Sequence, residues 1–220
     1  MTSPRVKICC ISSVAEAKQA IDHGATAIGL VGPMPSGPGV IDDDTIRQIT
    51  KQVSAPISTF LLTSSTKTDD IITQHRRVQT TTIQLVDELP LHDYEVLRRE
   101  LPHISLVQVI HVLDHSSVQQ AKDVAQYVDA ILLDSGNPKL AIKELGGTGR
   151  THDWNLSRRI RDSVLVPVYL AGGLHKDNVR EAISTVQPYG VDVCSGVRTS
   201  GKLDAQKLKD FCSAVRSVSR

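Results

Sequence analysis

Three glycine-rich segments in the last third of the chain could together bind a phosphate group. They are Gly146-Gly147-Thr148-Gly149, Ala171-Gly172-Gly173 and Ser195-Gly196-Val197, and we place them at the ends of late strands. Glycine lets backbone amides approach an anion closely, and the positive N-terminal end of a following helix adds to the attraction. Alternatively, the only role of these glycines could be to form tight turns. Because three such segments occur together, we predict a phosphate site.

Two other residues could transfer protons. Cys9 ends a short apolar run, and Asp134 directly follows Ile131-Leu132-Leu133. A catalytic thiolate needs nearby positive charge, and a buried carboxyl group with a raised pKa can act as a general acid. Taken alone, Cys9 is more typical of a small buried apolar residue. Asp134 could equally brace the long loop that runs to Thr151.

We expect the side chains around Cys9 to point alternately to the two faces of a strand. In a strand, neighbouring side chains point to opposite faces. Lys7 therefore shares a face with Cys9, and we count it among the candidate binding residues. Only one of Cys9 and Cys10 is expected to point to the interior.

Three more polar residues stand at the ends or within the apolar runs. Asp192 lies inside the last run, where a charge is costly unless it is paired or bound to substrate hydroxyls. His111 closes the fifth run, although a packing or surface role is the more common one for such a residue. Asp153, just before Trp154, is predicted to be the N-cap of a helix.

The segments that position these residues alternate between apolar runs and helix-compatible sequence. The runs, predicted as strands, are 6–9, 27–31, 57–62, 82–85, 106–110, 130–133, 167–170 and 191–193. The first two helices are predicted over 13–23 and 42–52, and Gly24 ends the first. Eight units of about 27 residues predict an α/β protein with a single eight-stranded β/α (TIM) barrel over residues 1–220. A doubly wound open sheet would usually carry GxGxxG after its first strand, and none occurs there.

Composition narrows the partners and the compartment. Aromatic residues make up only 3% of the chain, and Lys plus Arg number 25 against 24 for Asp plus Glu. The balance of charge argues against nucleic acid or an anionic membrane as a partner. No signal peptide, membrane span or zinc-type cysteine spacing is evident, so we expect a cytoplasmic protein with free thiols and no metal. It could be a monomer or a homodimer.

With these residues, the chain resembles the phosphoribosylanthranilate isomerases, the barrel enzymes of tryptophan biosynthesis. The resemblance covers nearly the whole chain. Its specific motifs are Val6-Lys7-Ile8-Cys9, Leu132-Leu133-Asp134, Gly146-Gly147-Thr148-Gly149-Arg150-Thr151-His152-Asp153-Trp154, Leu170-Ala171-Gly172-Gly173-Leu174 with Asn178-Val179, and Tyr189-Gly190-Val191-Asp192-Val193-Cys194-Ser195-Gly196-Val197.

The resemblance implies an Amadori rearrangement, in which an aminoaldose phosphate becomes a 1-amino-1-deoxyketose phosphate. It aligns the general acid with Asp134, which would open the furanose ring, and the general base with Cys9, which would remove a proton from the neighbouring sugar carbon. The glycines of the three late segments match the family's phosphate-binding loops. No cofactor is implied, and the partner is a small phosphosugar.

The chain departs from the family pattern at the end that would hold the group attached to the sugar. The family has Gly after the cysteine, where this chain has Cys10. It has an Arg in the second loop, where residues 34–40 contain no cation. It ends the fourth strand with Gln-Leu-His-Gly, where this chain reads Gln84-Leu85-Val86-Asp87. From their positions alone, Arg198 and His111 could supply the missing polarity.

Three functions are therefore open from the sequence. The chain could be a working phosphoribosylanthranilate isomerase, a related isomerase for another phosphoribosyl amine, or a non-catalytic barrel that binds a phosphosugar. The presence of both Cys9 and Asp134 favours an enzyme, since binding alone requires neither.

Overall fold

Eight parallel strands close into a barrel in the order in which they occur in the chain. The structure, a computed structural model, describes residues 3–147 and 149–218. The strands are β1 Arg5–Ile8, β2 Ala27–Val31, β3 Ser58–Thr63, β4 Thr82–Leu85, β5 Ser105–His111, β6 Ala130–Asp134, β7 Val168–Leu170 and β8 Gly190–Val193. Each lies within one residue of its predicted bounds, and the predicted barrel is confirmed.

Within residues 3–147 and 149–218, eight helices cover the outside of the barrel. They are α1 Val14–Asp22, α2 Asp43–Gln52, α3 Thr68–Val78, α4 Leu91–Glu100, α5 Ser116–Ala125, α6 Trp154–Ser163, α7 Val179–Val186 and α8 Ala205–Arg216. A 3₁₀ helix, Ser195–Val197, and two short antiparallel strands, β9 Arg198–Thr199 and β10 Lys202–Leu203, lie between β8 and α8. In the described part of the chain, no helix is both long and apolar enough to cross a bilayer.

The apolar core has two layers because side chains alternate along each strand. The outer layer, between strands and helices, consists mainly of Ile, Leu and Val, as the low aromatic content predicts. The inner layer fills the barrel and includes the ring of Phe60, whose centroid lies 6.0 Å from that of Tyr169 in an edge-on arrangement. Nζ of Lys7 lies 5.2 Å from the centroid of the Phe60 ring.

The pairing of the first strand with the last closes the barrel. Arg5 is opposite Gly190 and Lys7 is opposite Asp192 in this register. Gly190 leaves room for the ring of Tyr169 on β7, since a Cβ atom there would lie 2.6 Å from a ring carbon, and it would lie 3.1 Å from the carbonyl oxygen of Arg5 on β1. The closure brings residues from the two ends of the chain to the same end of the barrel.

The prediction for Asp153 at the start of α6 is also confirmed. Its carboxylate accepts hydrogen bonds from the backbone N–H groups of Asn155 at 2.8 Å and Leu156 at 3.2 Å. These amides have no partner within the first turn of the helix. The cap also fixes where the long loop after β6 ends.

We expect Asp153→Ala to lower the free energy of unfolding by about 1 kcal/mol, because two amides lose their acceptor. Urea denaturation followed by circular dichroism would measure the change. Asp153→Asn keeps an acceptor oxygen in the same place and should retain most of the stability. An equal loss in both variants would contradict the capping role.

Candidate active site

A cavity of about 700 Å³ opens at the C-terminal end of the barrel. Its walls come from the ends of the strands and from the loops after β2, β6, β7 and β8. Nine of the sequence-predicted residues line it, namely Cys9, Asp134, Gly147, Gly149, Ala171, Gly172, Gly173, Asp192 and Ser195. Thr148 lies outside the described residues, and the other candidates sit elsewhere.

A buried ion pair lies at the base of this cavity. Nζ of Lys7 is 2.8 Å from Oδ2 of Asp192, and the Lys7 side chain is 0% exposed. Burial alone would lower the pKa of Lys7, but the carboxylate of Asp192 and the thiol of Cys9 raise it above its ordinary value. Lys7 therefore stays charged, beneath the cavity floor. The other oxygen of Asp192, Oδ1, is buried without a hydrogen-bond partner, and Asp192 lines the cavity.

Cys9 is held close to this ammonium group. Sγ of Cys9 and Nζ of Lys7 lie 2.9 Å and 3.0 Å from one point, the position that a Cβ atom on Gly29 would occupy. The absence of a side chain at Gly29 thus gives both groups room on the inner face of the barrel. A neighbouring cation favours the thiolate form of a cysteine, which is the form that accepts a proton.

The prediction that only one of the two adjacent cysteines faces the interior was wrong. Strand β1 ends at Ile8, and Cys10 has φ of 62°, in the left-handed region. The alternation therefore stops before Cys10, and both Cys9 and Cys10 line the cavity. Gly39 provides the space, since a Cβ atom there would lie 2.5 Å from that of Cys10.

Asp134 is positioned at the end of β6 on another wall of the cavity. It is 8% exposed, and burial raises the pKa of its carboxyl group above the ordinary value. A hydrogen bond of 2.8 Å from the backbone N–H of Ser135 and the nearby His111 oppose this shift only in part. A carboxyl group that keeps its proton at higher pH is suited to act as a general acid.

His111 does not line this cavity, contrary to the suggested role in binding. Its Nε2 is 3.0 Å from the carbonyl oxygen of Val86, so Nε2 carries the proton and donates it. In the parallel pairing of β5 and β6, His111 is the partner of Asp134. The ring thus connects the ends of three strands and lies beside the candidate acid.

Arg198 also has a structural role in place of the suggested polar contact with substrate. Its Nη1 and Nη2 are each 3.0 Å from an oxygen of the Glu16 carboxylate. Nη2 also donates to the carbonyl oxygens of Cys9 and Cys10. Arg198 therefore connects the backbone after β1 to the segment after β8 through hydrogen bonds. Its side chain does not line the cavity.

The three glycine segments do meet at the cavity, with one correction to their placement. The first is not at a strand end, because Gly146, Gly147 and Gly149 lie within the loop between β6 and α6. Gly173, with φ of 59°, packs against the backbone of Arg150, where a Cβ atom would lie 2.6 Å from its carbonyl carbon. Gly196 packs in the same way against the carbonyl group of Leu174. Glycine at these positions allows the loops to pack backbone against backbone.

Val197 contributes to packing. Its side chain is fully buried in the outer core, and its backbone N–H bonds to the carbonyl oxygen of Cys194. The proposed phosphate contacts from this segment therefore fall on Ser195 and Gly196.

One polar residue of the cavity wall was missed from the sequence. Gln84 is buried on the inner face of β4, and its Oε1 has no hydrogen-bond partner. The sequence did contain a signal, since Gln84 stands two residues before Val86 and side chains two apart on a strand point to the same face. Apolar side chains from Met34, Val86 and Leu145 line the cavity as well.

Comparison with known proteins agrees with this geometry. A family model described as N-(5'-phosphoribosyl)anthranilate (PRA) isomerase matches residues 6–214. The chain belongs to the phosphoribosylanthranilate isomerase family. A relative of that name from Methanocella arvoryzae is 34% identical over 213 residues, covering 96% of this chain and 98% of its own. Another from Nostoc punctiforme is 34% identical over 206 residues, covering 93% and 94%.

Solved structures of the phosphoribosylanthranilate isomerase family have the same fold. The enzyme from Thermotoga maritima superposes with a TM-score of 0.83 at 30% identity, covering 98% of this chain and all of the other. A second structure, at 28% identity with a TM-score of 0.80 and the same coverage, holds reduced 1-(o-carboxyphenylamino)-1-deoxyribulose 5-phosphate.

The structure gives a physical meaning to one departure from the family. The glycine that phosphoribosylanthranilate isomerases carry after the cysteine suits the left-handed backbone found at Cys10. Here a thiol occupies the position at the cost of backbone strain. In the described residues, no Lys or Arg side chain lines the cavity, so the loop after β2 provides no cation there.

We expect Lys7→Met to lower the free energy of unfolding by about 3–5 kcal/mol, because it leaves the buried Asp192 carboxylate unpaired. The loss should shrink at acid pH. Burial raises the pKa of an unpaired carboxyl group, so protonation then removes the charge without unfolding.

The matched control is the double variant Lys7→Met/Asp192→Asn, in which no charge is buried. Urea denaturation at several pH values would measure all three proteins. The double variant should recover much of the lost stability, and a double variant as unstable as the single one would contradict the ion-pair assignment.

Proposed function

We propose that the chain isomerises N-(5'-phosphoribosyl)anthranilate to 1-(o-carboxyphenylamino)-1-deoxyribulose 5-phosphate, in the cytoplasm. The observation that carries the proposal is the meeting of three features in one cavity. A thiol beside a buried ammonium group, a buried carboxyl group with a raised pKa, and three glycine segments all border it. The family to which the chain belongs, and the names of its curated relatives, specify the reaction.

The phosphate would bind at the glycine segments. Gly147, Gly149, Gly172, Gly173 and Ser195 border the cavity from three different loops. Because glycines carry no side chain, their backbone N–H groups can approach phosphate oxygens directly. Binding of the phosphate there would orient the sugar across the cavity between the two catalytic walls.

Asp134 would act first, as the general acid. The proton of its carboxyl group passes to the ring oxygen of the sugar. The bond between that oxygen and C1 then breaks, and the lone pair of the amine nitrogen forms a C=N bond with C1. The product of this step is an open-chain, protonated Schiff base. The raised pKa of Asp134, caused mainly by burial, keeps the required proton on the carboxyl group.

Cys9 would act second, as the general base. Its thiolate removes the proton on C2, and the electron pair forms a C1=C2 bond while the C=N bond becomes an amine. The resulting enol converts to the ketone when C1 takes up a proton and the hydroxyl group on C2 releases one. Lys7 stabilises the thiolate, and the unpartnered Oδ1 of Asp192 is available to accept a hydrogen bond from a sugar hydroxyl.

A second candidate is an isomerase that acts on a different phosphoribosyl amine. The observation that favours it is the absence of a Lys or Arg side chain from the described cavity wall, since anthranilate carries a carboxylate. Met34 and Val86 present apolar side chains to the cavity, and Gln84 presents a side-chain amide group. This candidate shares the sugar chemistry of the first and differs only in the group attached to nitrogen.

The first experiment follows the fluorescence of the anthranilate group. We expect it to disappear when the protein meets phosphoribosylanthranilate. Cys9→Ala and Asp134→Asn should each lower kcat by a factor of about 10²–10⁴, the usual contribution of a positioned proton donor or acceptor. Cys212→Ala, which removes a buried thiol of α8 distant from the site, is the matched control.

Full activity in either catalytic variant would refute the assigned roles. If the unaltered protein leaves phosphoribosylanthranilate unchanged but binds ribose 5-phosphate, the second candidate would be supported instead.

We also expect kcat/KM to fall at alkaline pH, as Asp134 loses the proton that it must donate. Because burial raises the pKa of Asp134, the alkaline decline should begin above the range of an ordinary exposed carboxyl group. The residual activity of Asp134→Asn should lack this decline, and its persistence in that variant would contradict the assignment of the acid.

A further inference from the structure

Two thiols at the cavity have no role in the proposed reaction. Cys10 and Cys194 line the cavity together with Cys9, and none of the three forms a disulfide. The pairing of β1 with β8 brings them together. Ile8 is opposite Val193, and the backbone N–H of Cys9 donates to the carbonyl oxygen of Val193 at 2.8 Å.

Cys10 and Cys194 lie beyond the ends of β1 and β8. The register of these strands, continued by one residue, places Cys9 opposite Cys194, so the position of Cys10 depends on its own backbone conformation. The left-handed backbone at Cys10 turns its side chain into the cavity, beside the thiols of Cys9 and Cys194. Gly39 packs against Cys10, since a Cβ atom on Gly39 would lie 2.5 Å from Cβ and 3.1 Å from Sγ of Cys10.

The two thiols have different surroundings. Cys194 is partly exposed, and its contacts with Cys10 and with the guanidinium group of Arg198 lower its pKa. Cys10 is buried, and its contacts with Cys194 and Cys9, together with burial, raise its pKa. An accessible thiol that ionises readily, next to a protonated one, is the arrangement found where oxidation leads to a disulfide.

We propose that Cys194 and Cys10 are a site of reversible oxidation, at which a hydroperoxide converts the two thiols to a disulfide that blocks the cavity. The Cys194 thiolate attacks one peroxide oxygen, the O–O bond breaks, and the other oxygen leaves as water or an alcohol after taking up a proton. The sulfur of Cys194 is then a sulfenic acid. The sulfur of Cys10 attacks it, the S–S bond forms, and hydroxide leaves with the Cys10 proton as water. Two electrons pass from the thiols to the peroxide.

The disulfide would act directly on the active site. Cys10 follows Cys9 in the chain, and Arg198 already holds the carbonyl groups of both residues. A bond from Cys10 to Cys194 would fix this segment further and would join two sulfur atoms that line the cavity. The loss of activity rests on the proposed function, whereas the formation of the bond does not.

The test oxidises the fully reduced protein with an equimolar amount of hydrogen peroxide, blocks the remaining thiols by alkylation and maps the peptides by mass spectrometry. We expect a peptide pair linked through Cys10 and Cys194, with Cys9 and Cys212 alkylated. Isomerase activity should be lost on oxidation and regained with dithiothreitol.

Variants separate the two steps. Cys10→Gly, which suits the left-handed backbone, should form no link but should leave a sulfenic acid on Cys194 that reacts with dimedone. Cys194→Ala should form neither the link nor the sulfenic acid. Cys212→Ala is the control and should form the link as the unaltered protein does. Each protein is compared with its own reduced state, so a change in basal activity does not affect the result.

A link through Cys9, or four thiols that all remain open to alkylation, would overturn the proposal. The two proposals fail in different ways. If the Cys10–Cys194 link forms in a protein that has no isomerase activity, the proposed function is wrong and the oxidation site stands. If an active protein is insensitive to peroxide and forms no link, the oxidation site is wrong and the function stands.

Discussion

The ion pair between Lys7 and Asp192 is the contact on which the arrangement of the cavity depends. It joins the first strand to the last at the point where the barrel closes, and both side chains are buried there. A buried charge is tolerated only with a partner. The register that places Lys7 beside Asp192 is therefore also the register that places Cys9 beside the loop after β8, and other registers would leave two charges unpaired.

This constraint explains how two groups with opposite tasks can share one cavity. On one wall, the ammonium group of Lys7 lies close to the thiol of Cys9, in the room left by Gly29. On the other wall, Asp134 accepts a hydrogen bond from the backbone N–H of Ser135, and burial dominates its pKa. A base that must be charged and an acid that must be neutral thus receive different surroundings from the same fold, as proton-transfer chemistry requires.

The strands could be predicted from the sequence because each apolar run in a parallel barrel is buried on both faces and bounded by polar loops. The site residues on those strands followed from the same pattern. What could not be predicted depends on contacts distant in sequence or on backbone conformation. Arg198 forms an ion pair with Glu16, which is 182 residues away in the chain. The side chain of Cys10 departs from the alternating pattern because its backbone is left-handed, and the residue type does not indicate that conformation. The orientation of Gln84 into the cavity needed the closed barrel, since only then does the inner face become a wall.

The most direct test of the whole arrangement is a crystal structure of this protein with reduced 1-(o-carboxyphenylamino)-1-deoxyribulose 5-phosphate, the compound held by one of its relatives. We predict that the phosphate lies among the glycine segments, the sugar carbons between Cys9 and Asp134, and the carboxyphenyl ring toward Met34 and Val86. A complex in which the phosphate lies away from Gly173 and Ser195, or in which the sugar contacts neither Cys9 nor Asp134, would contradict it.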